Sequence, residues 1–143
     1  MNRRGTEGAE EEKKSLDLDA RDLTHGVIGA AIEVHRLIGP GFLESTYEDA
    51  LAIELELRGI PIRRQVPIDM TYKGRPIGKA RLDMLVAMRL VVELKAVENF
   101  APIHTAQVLS YLRATKLRHG LLINFNVPAL RLGVKRVIHT HDP

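Results

Sequence analysis

Three strand-like stretches follow one another at residues 60–72, 77–87 and 90–96, with Lys73-Gly74 marking the first turn and Ala87-Met88-Arg89 the second. Connections this short hold a turn but no crossover helix, so consecutive strands must pair antiparallel, and a three-stranded meander is expected. A sheet needs cover, and helical patterns flank the meander in sequence. Residues 22–38 place Val27, Ile28, Ala31, Val34, Leu37 and Ile38 at helical spacing. Gly39-Pro40-Gly41 ends that helix, because proline disfavours helix before it and glycine permits the turn. A second helix is expected over 43–58, with Gly59 at its C-terminal cap. After the meander, Pro102 opens a helix to about residue 116, whose buried face is expected to carry Ile103, Ala106, Leu109 and Leu112. The apolar run 120–125 suits a buried strand, and 134–139 an edge strand. The order helix, helix, three strands, helix, two strands defines an α/β or α+β sheet with helices packed on it.

A chain of 143 residues, 45% of them hydrophobic, closes one core, so a single domain is expected over 19–143. Residues 1–18 are charged, poor in aromatics and without period, and read as a disordered tail. There is no cysteine, which excludes disulfides, thiolate-bound zinc, iron–sulfur clusters and thiol nucleophiles. The longest apolar runs fall far short of the roughly 20 residues that span a bilayer, and the first residues lack the apolar segment of a secretory signal. A cytoplasmic protein with no membrane partner is expected.

The formal net charge of +3 hides an asymmetry. Residues 1–22 hold five Lys/Arg against seven acids, leaving the remainder with 16 basic and 11 acidic residues, a net of +5. The cations gather at Arg63 and Arg64, between Arg113 and Arg118, and between Arg131 and Arg136. Such an excess suits a polyanionic partner, and ordinary surface charge fits it equally well.

The chemistry concentrates on the second and third strands. Strand side chains alternate, so Glu93 and Lys95 in VVELKA leave one face with Val91, while Val92 and Leu94 leave the other. If the loop is Ala87-Met88-Arg89, Val86 pairs with Leu90 and Asp83 falls opposite Glu93. Two carboxylates at about 5 Å repel unless a positive charge lies between them, and a divalent cation or Lys95 supplies it. Mg²⁺ or Mn²⁺ takes hard oxygen donors of this kind. Lys95 is placed to polarise an attacking water and stabilise charge on phosphorus. A solvated strand face with a cross-strand ion pair is the plainer reading of the same residues.

The wider pattern resembles the GxxExxY proteins, a branch of the PD-(D/E)XK nuclease superfamily. Gly41, Glu44 and Tyr47 stand in GFLESTY, and the likeness continues through IGAAIEVHRLIGPG, RLDMLV, VVELKAVE, AQVLSYL and LLINFNVP, over about residues 22–139. It implies a restriction-endonuclease-like core of helix, three-stranded meander, helix and strand, here with an extra N-terminal helix and a C-terminal edge strand. It further implies a catalytic set of Glu44, Asp83, Glu93 and Lys95, with metal held by Asp83, Glu93 and Glu44. Gln107 and Tyr111 match a glutamine and tyrosine found in the following helix of nucleases resembling the RecB family, and their spacing puts both on one face. The residue before Asp83 is Leu82 rather than proline, a departure at a position that supplies no ligand.

The expected function is therefore metal-dependent hydrolysis of phosphodiester bonds in nucleic acid, DNA first. Arg63, Arg64, His104, Arg113, Lys116 and Arg118 are candidate contacts to it, the cations through backbone phosphates. Related folds often cut as dimers, so a homodimer is an open partner. The alternative is a catalytically silent module of the same fold that binds nucleic acid or a protein, and an enzyme acting on a small phosphoester is a third reading. His139 and His141 fall in no zinc-binding spacing, and no phosphate-loop or serine-elbow motif is present.

Overall fold

The computed structural model describes the backbone of residues 3–140 and the side chains of residues 20–140. His141 therefore lies outside the described residues, as do Met1 and Asn2 of the expected tail. Three helices and five strands follow in the order α1 (Arg3–Ile38), α2 (Glu44–Leu57), β1 (Ile62–Tyr72), β2 (Arg75–Val86), β3 (Leu90–Lys95), α3 (Pro102–Thr115), β4 (His119–Asn124) and β5 (Val134–Ile138). A 3₁₀ turn over Leu130–Gly133, not anticipated from the sequence, leads into β5.

The five strands form one sheet in sequential order, antiparallel except for the parallel β3–β4 pair. That one parallel step is where α3 lies, since joining parallel neighbours requires a crossover. The expected meander is β1–β3, and the expected edge strand is β5. Helix and strand limits differ from the sequence reading by a residue or two, except that α1 begins at Arg3 rather than near residue 22. Residues 3–18 contain no proline and are rich in Glu, Lys and Arg, all strong helix formers, so nothing local stops the helix there.

The sheet separates two cores. On one face α1 and α2 bring Val27, Ala30, Val34, Tyr47, Leu51 and Leu55 against Met84, Val92, Leu94, Leu121 and Ile123. On the other, α3 brings Val108, Tyr111 and Leu112 against Leu82, Leu85, Val91, Leu122 and Val137. The expected face of α3 is rotated by part of a turn. Ile103 is 68% exposed and Ala106 is exposed, whereas Val108 and Tyr111 are buried. The cause is Gly120, where a Cβ would lie 2.7 Å from Val108 Cγ1. The bare backbone of β4 lets the helix settle on Val108, and that rotation turns Gln107 and Tyr111 inward.

Tyr47 explains the turn between α1 and α2. Its ring stacks on Phe125 with centroids 4.4 Å apart and planes 7° from parallel. Its hydroxyl donates to Gly39 O at 2.6 Å and accepts from Phe42 N at 3.2 Å. Gly41 between them has φ +103°, a conformation that β-carbons oppose.

Candidate active site

The pleat of β3 sorts its side chains between the two cores. Val92 and Leu94 pack toward α1 and α2, while Val91 packs toward α3, which places Glu93 and Lys95 on the α3 side. The β2–β3 ladder runs Val86↔Leu90, Leu85↔Val91, Met84↔Val92 and then stops. The next pair in register is Asp83 and Glu93, and there the side chains take over from the backbone. Asp83 N donates to Glu93 Oε1 at 2.9 Å, and Leu94 N donates to Asp83 Oδ2 at 2.9 Å. The strands fork at this point, with one carboxylate from each satisfying an amide of the other.

The β1 side of Asp83 is interrupted too. Arg64 pairs with Met84 and Val66 with Leu82, but Gln65, between them, is left-handed with φ +49° and drops out of the ladder. Gln65 Nε2 instead donates to Glu48 Oε1 at 2.5 Å.

Glu93 is 3% exposed, and its carboxyl is pushed up to about 8 from the ordinary carboxylate range. Burial is the largest cause and the neighbouring charge of Asp83 the next, with Lys95 opposing both. Protonation and a bound cation are alternative ways of relieving such a pair. The donors fit a hard cation: each carboxylate gives one oxygen to an amide and has a second, and Mg²⁺ sites use one or two carboxylates with retained waters. Glu44 does not join them. It opens α2 in an exposed position and, among the described residues, makes no hydrogen bond or ion pair. Nor does any group of three His, Cys, Asp or Glu side chains there form a metal-holding set. The first turn of α2 lies beside the Gly39-Pro40-Gly41 turn that Tyr47 ties down, which explains why the helix presents Glu44 to solvent.

A polar chain connects Lys95 to α3. Lys95 Nζ donates to Gln107 Oε1 at 3.3 Å, and Gln107 Nε2 donates to Tyr111 OH at 2.9 Å. Tyr111 titrates above its usual range, first because it is buried and then because Glu93 lies near, with the Gln107 bond opposing. Lys95, Ile103, His104, Ala106, Gln107 and Ser110 line an open depression of about 470 Å³, which reaches the Lys95–Gln107 end of the site. Asp83, Glu93, Lys95, Gln107 and Tyr111 thus form one constellation.

The remaining candidates lie elsewhere or serve the fold. His104 Nδ1 accepts from Ala101 N at 3.0 Å, so it caps α3 while lining the depression. Arg64 is held by Glu48 at 2.8 Å and by Asp49, which spends its charge within the protein. Arg63 is exposed on β1. Arg113, Lys116 and Arg118 sit around the end of α3 and the start of β4. β4 begins opposite Leu90 and ends opposite Lys95, so its start, which Lys116 and Arg118 precede, lies about 16 Å of strand away from the lysine.

Three residues that the sequence did not single out support the site. Glu48 and Gln65 flank the break beside Asp83. Asn124 is 2% exposed, and its side chain accepts from Val97 N and donates to Val97 O, pinning the segment that follows Lys95. A lone polar residue closing the apolar run LLIN was the available signal.

A mixed sheet between helices, with two carboxylates at a strand fork and a lysine two residues along, defines a domain of the PD-(D/E)XK type. The chain belongs to the PD-(D/E)XK nuclease superfamily, whose family model matches residues 21–137. The solved structure of SSO0001 shares the fold, with TM-score 0.53 and 16% identity over 68% of this chain and 50% of that chain. This chain thus spans half the length of that relative. No curated protein matches the sequence. Members of the superfamily generally use divalent metals. Among the described residues no helix is long and apolar enough to cross a membrane.

Proposed function

We propose that the domain is a Mg²⁺- or Mn²⁺-dependent nuclease that hydrolyses phosphodiester bonds, with DNA as its substrate. The observation that carries this reading is the Asp83–Glu93 pair at the β2–β3 fork, with Lys95 on the same face. Asp83 and Glu93 would hold the metal, which when bound lowers the pKa of water and stabilises charge on phosphoryl oxygens. Lys95 orients the attacking water and offsets charge developing on phosphorus. Gln107 fixes the Lys95 ammonium, and Tyr111 fixes the Gln107 amide. The GFLESTY signature supports placing the chain in the GxxExxY branch, and the absence of cysteine accords with a reducing, cytoplasmic setting.

The test incubates the protein with labelled single- and double-stranded DNA and RNA, in Mg²⁺, Mn²⁺ or EDTA, beside Lys95→Ala. Metal-dependent cleavage that the variant loses is the expected result. The exposed position of Glu44 favours the silent binding module as the second reading. Binding without cleavage by wild type in either metal selects it.

A further inference from the structure

The site explains β2 only from Asp83 onward. Residues 66–82 form a two-stranded arm that leaves the sheet at Asp83, past the last β3 partner, Met84. Its inner part is anchored, since Val66, Ile68, Met70, Ala80 and Leu82 pack with the α3 core. Residues 71–79 are exposed without exception, including Tyr72 at 63% and Ile77 at 64%. A hairpin tip with neither face covered gains little from folding alone, so its shape calls for another cause.

Its composition supplies one. Lys73, Arg75, Lys79 and Arg81 stand against a single acid, Asp69, so the arm has a net charge of +3, equal to the formal charge of the whole chain. The tip is tight: Lys73 and Gly74 form a two-residue turn with φ +50° and +77°, closed by the Tyr72↔Arg75 pair. The register shift between Met70 and Thr71 leaves Ile77 as a bulge that bends the ribbon. Lys73 Nζ lies 5.5 Å from the centre of the Tyr72 ring. A second copy adding a strand is disfavoured, because Pro67 and Pro76 interrupt the two free edges.

We infer that this arm grips double-stranded DNA by entering its major groove, holding the duplex against the Asp83–Glu93 fork. From Arg75 to Asp83 the strand spans about 25–30 Å, and the exposed tip alone exceeds the roughly 8.5 Å depth of that groove. The groove is about 12 Å wide and admits a two-stranded ribbon. The A-form major groove of RNA is too narrow, and a single strand has none, so the substrate class follows from the shape. The inference rests on the nuclease reading for its substrate.

The test measures binding to a labelled DNA duplex in EDTA across a salt series. It compares wild type with the combined variant Lys73→Gln, Arg75→Gln, Lys79→Gln, Arg81→Gln, with duplex RNA and single-stranded DNA as competitors. We expect the combined variant to bind at least tenfold more weakly with a shallower salt dependence, by about 0.9 for each phosphate that the arm no longer neutralises. Thermal unfolding of the combined variant shifts little, because all four side chains are exposed and the one ion pair lost, Lys79–Asp69 at 3.8 Å, lies in solvent. A combined variant that binds like wild type overturns the arm and leaves the nuclease reading intact. Equal competition by duplex RNA or single strands overturns the groove. Duplex binding through the arm without metal-dependent cleavage overturns only the nuclease reading, and no DNA binding by wild type overturns both.

Discussion

The two faces of β3 are built for different work. Toward α1 and α2 the strand shows Val92 and Leu94, 0% and 1% exposed, with both side chains in the apolar core that those helices cover. Toward α3 it shows Val91, then Glu93 and Lys95, and the helix above answers with Gln107 and Tyr111. One strand therefore serves stability on one side and a charged site on the other. The pleat keeps the two apart, and the charged side is tolerated because each buried polar atom has a partner: no buried side-chain nitrogen or oxygen among the described residues lacks one.

The largest effect expected from breaking this contrast falls on the charged face. Lys95→Ala should lower cleavage by two to three orders of magnitude, the cost of removing a preorganised electrostatic group, while thermal unfolding stays in place. A large drop in Tm would show that the lysine holds the fold. On the apolar face the pattern reverses. Leu55→Ala should cost about 3 kcal/mol, on the order of 10 °C in Tm for a domain of this size, with turnover per folded molecule retained.

A third effect belongs to Glu93. Its folded carboxyl holds a proton up to about 8, well above its unfolded value, so the folded state binds more protons than the unfolded one between those limits. Stability of the protein in chelator should therefore fall as pH rises from about 4.5 to 8, at a slope on the order of 1 kcal/mol per pH unit. Unfolding curves across that range should show the slope in wild type and a flatter profile in Glu93→Gln. An equal slope in both would mean the charge is relieved in another way. The smallest effect tests the turn. Tyr47→Phe keeps the stack on Phe125 but removes two hydrogen bonds, and should cost about 1–2 kcal/mol by denaturant unfolding with little change in cleavage.

Much of the site was legible because it rests on short-range regularities. The three-residue connection sets the β2–β3 register, and the period of two sets which side chains share a face, so Asp83, Glu93 and Lys95 could be assembled by counting. The i, i+4 spacing did the same for Gln107 and Tyr111. The acid on α2 was different. Glu44 and Glu48 are one turn apart on the same helix, and which of them approaches the strands depends on how α2 docks. The docked helix brings Glu48 to Gln65 and Arg64 and leaves Glu44 in solvent. The cationic clusters are limited in a similar way, since closeness in sequence says nothing about which end of the sheet a residue reaches.

The sequence by itself determined the five strands, the meander and the facing of β3, because turn length and side-chain period act over a few residues. Only the tertiary structure decided the rotation of α3, the fork at Asp83 and the reach of the arm. Each depends on contacts between distant segments: Val108 against Gly120, Glu48 against Gln65, and Ile68 against the α3 core. No local pattern records where such surfaces meet.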